Sequence, residues 1–86
     1  MQMKMQITAT NNTANVQFNI LSKAHIVLKV LNEQDVTIRL LINEMLESGK
    51  HNIPFHLSTI NKGKHIVRLI IDNGKTIDIE NETIHI

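Results

Sequence analysis

The chain has 86 residues, 42% of them apolar, a net charge of +1 and no cysteine. That is room for one domain, and it excludes disulfides and thiolate metal centres while leaving the compartment open. Phe18 and Phe55 are the only aromatic residues, which argues against a platform that stacks sugars or bases, and the scattered Lys and Arg form no stripe for a nucleic-acid backbone.

Residues 3–9, MKMQITA, alternate Met3, Met5, Ile7 and Ala9 against Lys4, Gln6 and Thr8, predicting a half-buried strand. No continuous apolar run follows Lys4, so residues 1–7 do not read as a signal peptide, and no stretch has the length to span a bilayer. Any export signal is expected outside this chain. Asn11-Asn12 predicts a turn, since asparagine tolerates positive φ. Residues 15–21, NVQFNIL, place Val16, Phe18 and Ile20 on one face of a second strand. A short link, Ser22-Lys23-Ala24, leads to residues 25–31, HIVLKVL, where β-branched residues favour a third strand. Its second face, His25, Val27, Lys29 and Leu31, is only partly polar.

Asn32 to Asp35 predicts a hairpin turn. Residues 36–42, VTIRLLI, alternate Val36, Ile38, Leu40 and Ile42 with Thr37, Arg39 and Leu41. The following NEMLES favours helix by propensity. The reading is a strand to about Ile42, then an irregular or single-turn segment within 41–48, ended by Gly49. Residues 50–57, KHNIPFHL, point His51, Ile53 and Phe55 inward and Asn52, Pro54 and His56 outward. Pro54 has no N–H, so its nitrogen must face an edge or gap. After a link at 58–62 comes KHIVRLIID, 64–72, the most apolar strand and thus a central one. Asn73-Gly74 is the strongest hairpin signal. Residues 75–80 and 83–86 close the sheet as one strand, or as one broken at Asn81.

Seven short strands with a turn about every eight to twelve residues predict an antiparallel β-sandwich. Its core is expected to be aliphatic, built on Phe18, Val30, Phe55 and Leu69. The two Gly-Lys-His corners, Gly49-Lys50-His51 and Gly63-Lys64-His65, are expected to feed neighbouring inner strands.

The five histidines, His25, His51, His56, His65 and His85, are the only hint of chemistry. By alternation His51 and His65 face the core and His56 faces away. No His-x-His or His-x-x-x-His pair lies near a carboxylate, so partly buried or surface histidines are expected rather than metal ligands. Ser58, His56 and Asp72 assemble a triad on paper only, with no Gly-x-Ser-x-Gly elbow to expose a nucleophile. Asp78, Glu80 and Glu82 alternate on one strand face, which reads as a solvated edge rather than a calcium loop. Met1, Met3 and Met5 read as a core-facing strand. A catalytic function, a cofactor and a metal are therefore not expected.

Residues 15–72 carry a resemblance. Leu28-Lys29-Val30, Leu41-Ile42-Asn43-Glu44, Gly49-Lys50-His51, the Ile53 and Phe55 pair, and Gly63 to Leu69 follow in fixed order. Together they resemble the C-terminal sorting domain of proteins exported by the type IX secretion system, and the related Ig-like domain of the flagellar hook-capping protein. Where the family has Gly-Val-Tyr-Phe-Tyr-Arg-Leu, Arg68 and Leu69 match outright. Small Ig-like families of unknown function look similar too. The chain departs at Asp35, where the family uses glycine, at His65 and Val67, where it has tyrosines, and at Asn81-Glu82, where it has a lysine pair.

The resemblance implies an Ig-like or fibronectin III-like sandwich acting without catalysis, as an export and surface-attachment module in a secreted or cell-surface setting. It would dock a protein partner by a sheet face or an open edge, with Arg68 and Lys75 near that surface. A spacer or dimerisation domain of a surface protein is the second reading. A metal- or glycan-binding module is the third. No nucleic-acid partner and no direct membrane insertion are expected.

Overall fold

The computed structural model describes residues 5–86; the early part of the strand predicted for 3–9, with Met1 and Met3, lies outside the described residues. Seven strands follow one another: β1 Gln6–Thr10, β2 Thr13–Ile20, β3 Ala24–Leu31, β4 Thr37–Leu46, β5 Gly49–His56, β6 Lys64–Asp72 and β7 Ile77–His85. They form a three-stranded sheet, β1-β2-β5, facing a four-stranded sheet, β4-β3-β6-β7, and every pairing is antiparallel. Lettered A to G, the order is A-B-E against C′-C-F-G. The fourth strand lies beside the third, not beside the fifth as the D strand of an Ig constant domain does, so the arrangement is the fibronectin III-like one.

Alternation explains the layers. From β2, Ala14, Val16, Phe18 and Ile20 point inward; from β3, Ala24, Ile26, Leu28 and Val30; from β6, Val67, Leu69 and Ile71. Leu28 and Leu69 are opposite each other in the register and both are wholly buried. Phe55 and Ile60 close the core, and all four expected core residues, Phe18, Val30, Phe55 and Leu69, lie in it.

Three expectations need correction. The segment at 41–48 is strand as far as Leu46, because β3 extends far enough to pair with it: Ala24 is opposite Leu46 and Ile26 opposite Glu44. Pairing to a neighbour overrides the helix propensity of Leu, Met and Glu. Second, β4 does not keep one alternating face. Bulges at Leu41 and at Ile38 each add an unpaired residue, so Ile42 faces the core opposite Leu28 while Leu40 faces outward opposite Lys29. Third, the Gly-Lys-His corners do not feed neighbouring strands. Gly49 opens β5, an edge of the three-stranded sheet, and Gly63 precedes β6, an inner strand of the other.

Turn chemistry holds the register. Asn11 (φ 53°) supplies the left-handed residue between β1 and β2, as its side chain allows. Asp35 (φ 64°) does so in the β3–β4 hairpin, where the Asn32 carboxamide oxygen accepts from the backbone of Gln34 and Val36. Asn73–Thr76 forms a four-residue loop in which Asn73 Oδ1 accepts from Lys75 N and Thr76 N. β7 then runs unbroken through Asn81. Gly63 and Ile86 exchange two backbone bonds of 2.9 Å, tying the chain's end to the start of β6.

Candidate functional site

The two outer faces of the sandwich differ in chemistry. On the three-stranded sheet the outward rows are Gln6–Gln17–Asn52, Thr8–Asn15–Pro54 and Thr10–Thr13–His56, with Asn19 beside Lys50. Apart from Pro54 this is a polar surface of amides, hydroxyls, one imidazole and the Lys50 ammonium, as expected of a face in water. A shallow depression of about 350 Å³ at the end of this sheet is lined by Phe18 and His51 as well as Gln6, Gln17, Asn19, Lys50 and Asn52.

The four-stranded sheet turns a different surface outward. Across β4, β3, β6 and β7 its rows are Met45–His25–Asp72–Ile77, Asn43–Val27–Ile70–Ile79, Leu40–Lys29–Arg68–Asn81 and Thr37–Leu31–Ile66–Thr83. Ile77 is 61% exposed, Ile79 57%, Leu40 54% and Met45 52%. Val27, Ile70 and Ile66 are half-buried between them. Leu31 is buried although it lies outside the inter-sheet core. Apolar side chains from all four strands thus lie on this face, with the Lys29–Arg68 row between the Val27–Ile70–Ile79 row and Leu31–Ile66.

Half of the sixteen outward positions are polar or charged, and two pairs of them are bonded to each other. Arg68 Nε donates to Asn81 Oδ1 at 2.7 Å, and its Nη2 lies 3.1 Å from Asp35 Oδ1. The guanidinium is thereby held over the sheet at the Lys29 row. Asn81, where the resembled family has a lysine, is an acceptor for that arginine. His25 Nε2 and Asn43 Oδ1 are 2.6 Å apart. Arg68 is thus at the surface as expected, while Lys75 sits in the β6–β7 loop, beyond the last row.

All four sheet edges are guarded. β4 carries two bulges, β5 carries Pro54, and β1 is five residues long. On β7 the carboxylates Asp78, Glu80 and Glu82 are opposite Ile71, Leu69 and Val67, so they point to the inner side of the sheet. These are four established devices against edge-to-edge pairing. The acidic run lies on an edge strand with Asp78 and Glu82 exposed, and the isoleucines beside the acids, Ile77 and Ile79, face outward.

The residues singled out for chemistry do not converge. Among the described residues, no three His, Asp or Glu side chains come together as a metal site would require. His65 is buried, with Nδ1 donating to Gly63 O at 3.0 Å. His51 is half-buried, its ring 5.6 Å from Phe18 and its Nε2 bonded to Glu47 O. His56 and His85 are exposed. Ser58 and His56 lie near the end of β5, whereas Asp72 is eight residues along β6 in the other sheet, about 27 Å of extended strand from Lys64.

Set beside protein-family models and curated proteins, the chain matches no family model and no curated protein. The outer face is where sequence reasoning fell short. Its signal was available in the partly polar second face of residues 25–31 and in Ile66 and Ile70, but the bulges that turn Leu40 outward leave no mark in the alternation.

Proposed function

We propose that the protein is a non-catalytic β-sandwich module that docks another protein chain through the outer face of its β4-β3-β6-β7 sheet. One observation carries this reading: the outer face of one sheet is polar apart from Pro54, while half of the outward positions of the other, spread over all four strands, are apolar. Of the two docking routes open to a sandwich, strand addition requires an undefended edge. The bulged, proline-bearing, short and acid-lined edges favour the face.

The likeness of residues 15–72 to sorting domains supports a cellular role for the same face, as an export and surface-attachment domain recognised by other proteins. Fused to a cargo, the domain is then expected to direct export in the cells that encode it. A cargo that stays inside and binds no export component removes that role without touching the docking reading.

The docking reading is tested by placing a photo-cross-linking side chain at Ile79 or, as a control, at Thr8 on the opposite face. Illumination in the cells that encode the chain is expected to give discrete adducts from position 79 and none from position 8. Adducts should disappear when Ile70→Glu is added. Equal labelling from both positions, or none from 79, rejects the docking face.

A further inference from the structure

We infer that the occupant of this face is a second copy of the chain, related by a two-fold axis that runs across the strands. The inference rests on the docking reading and adds the identity of the partner. Its basis is the charge pattern of the rows, which is complementary to itself in one of the two symmetric arrangements and repulsive in the other.

Two sheets facing each other can be related by a two-fold axis lying in the interface, either along the strands or across them. An axis along the strands leaves each row opposite itself and exchanges β3 with β6. Lys29 then lands on Arg68, placing two cations together in a contact that excludes water. An axis across the strands, through the Asn43–Val27–Ile70–Ile79 row, keeps β3 over β3 and β6 over β6. It exchanges the row containing Asp72 with the row containing Arg68. Each Arg68 lands on the other copy's Asp72, so symmetry makes two opposite-charge contacts. Val27, Ile70 and Ile79 meet their own counterparts, and Leu40 lands on Met45. Lys29 falls over the His25–Asn43 pair, whose amide oxygen can accept from it.

The chain already positions the charged group. Asn81 and Asp35 take two of the five N–H donors of Arg68 and fix its plane, leaving others free to face outward. The size fits a second copy as well. Four strands about 4.8 Å apart and the three overlapping rows about 6.8 Å apart give a projected face of roughly 400 Å². That is a little under a tenth of the molecule's 5603 Å² surface. Two such faces bury about 800 Å², the size of a weak, transient contact, so the dimer is a readily reversible one.

The test uses Asp72→Lys and Arg68→Glu, made separately and checked for fold by circular dichroism. Analytical ultracentrifugation is run on the unmodified chain, on each variant alone and on their equimolar mixture. The unmodified chain is expected to pass from monomer to dimer with concentration. Each variant alone meets itself with two like-charge contacts, and its association is expected to weaken at least about tenfold. In the mixture the introduced lysine faces the introduced glutamate, and native Asp72 faces native Arg68, so a heterodimer is expected to return. Ile79→Glu, which leaves the Arg68–Asp72 contacts in place but sets two carboxylates face to face at the axis, is expected to abolish association, and Thr8→Glu on the other face to leave it intact. An unmodified chain that stays monomeric to about millimolar concentration overturns the second copy, and the cross-linking result then decides separately whether the face docks a different protein. A dimer lost with Thr8→Glu but kept with Ile79→Glu overturns both readings. A dimer weakened by each variant but not recovered on mixing overturns the two-fold arrangement.

Discussion

If the outer isoleucines serve docking and the inner leucines hold the fold, substitutions in two adjacent strands separate the two roles. Leu69 is wholly buried opposite Leu28, which is equally buried. Leu69→Ala removes buried methyl and methylene groups from a centre that cannot collapse around the gap, at a cost of about 2.7–5 kcal/mol. A chain of this size holds about 4–13 kcal/mol in total, so the loss takes a third or more of a mid-range stability. Ile79 is 57% exposed. Folding removes less than half of it from water, so out of the roughly 1.5–3 kcal/mol of full burial, Ile79→Ala is expected to cost about 1 kcal/mol or less. The assay is urea unfolding followed by far-ultraviolet circular dichroism, at concentrations well below the association midpoint so that dimerisation adds no stability of its own. With a slope of about 1–2 kcal/mol/M, Leu69→Ala is expected to lower the midpoint by about 1.4–5 M and Ile79→Ala by about 1 M or less. Equal shifts for the two variants would refute the assignment of Ile79 to a surface that the monomer leaves unused.

Further predictions concern the turns that hold the register. Gly63→Ala forces a side chain onto a backbone at φ 129° and strains the Gly63–Ile86 tie. The expected loss is about 1–3 kcal/mol by thermal or urea unfolding, although nothing lies within 4 Å to clash with the added methyl. Asp35→Gly relieves a left-handed backbone at φ 64° but removes the contact with Arg68. The two effects oppose each other and are each about 1 kcal/mol or less, so the net change is expected to stay within about 1 kcal/mol, whereas Asp35→Ala keeps the strain, loses the contact and falls by up to about 1 kcal/mol. Asn73→Ala strips the acceptor for Lys75 N and Thr76 N. It is expected to cost about 1 kcal/mol and to raise hydrogen exchange first at the β6–β7 hairpin.

Much of the fold was legible because the inner faces obey a strict period of two. β2 and β6 show it without interruption, and their burial follows it residue by residue. The turn at Asn11 and the hairpin ending at Asp35 were equally readable, and Pro54 narrowed β5 to an edge or a gap, since each rests on a local backbone requirement. What escaped was non-local. That residues 43–46 are strand depends on β3 being long enough to pair with them, which no window around 41–48 contains. The bulges at Ile38 and Leu41 depend on the twist of that same pair. Which strands share a sheet is also non-local, so a repeated Gly-Lys-His could not reveal that its two copies open strands in opposite layers. The outer face of the four-stranded sheet follows the same division: Val27, Ile66 and Ile70 were recognisable as apolar residues on second faces, but joining them to Leu40 and Ile79 needed the strand order.

The direction of Ile77 and Ile79 follows from the mismatch of four strands over three. A shift of β7 by one residue would turn both isoleucines inward and the acids outward, the choice hydrophobicity alone would make. The inner side of β7 has little above it, however. Asp78 and Glu82 point there and remain exposed, and the described contact near its middle is Met5 N donating to Glu80 Oε1 at 3.3 Å. Isoleucines placed there would stay wet, would leave an apolar overhang beside an open edge, and would forfeit Ile84 and the Gly63–Ile86 tie that fix the far end. In the observed register the carboxylates occupy the overhang, where charge discourages another strand from pairing. The isoleucines meanwhile extend the Val27–Ile70 row into one continuous surface. A single strand thus blocks association at the edge and supplies the apolar area for association at the face, and the Asn73–Thr76 turn selects that outcome by fixing which residue of β7 stands opposite Asp72.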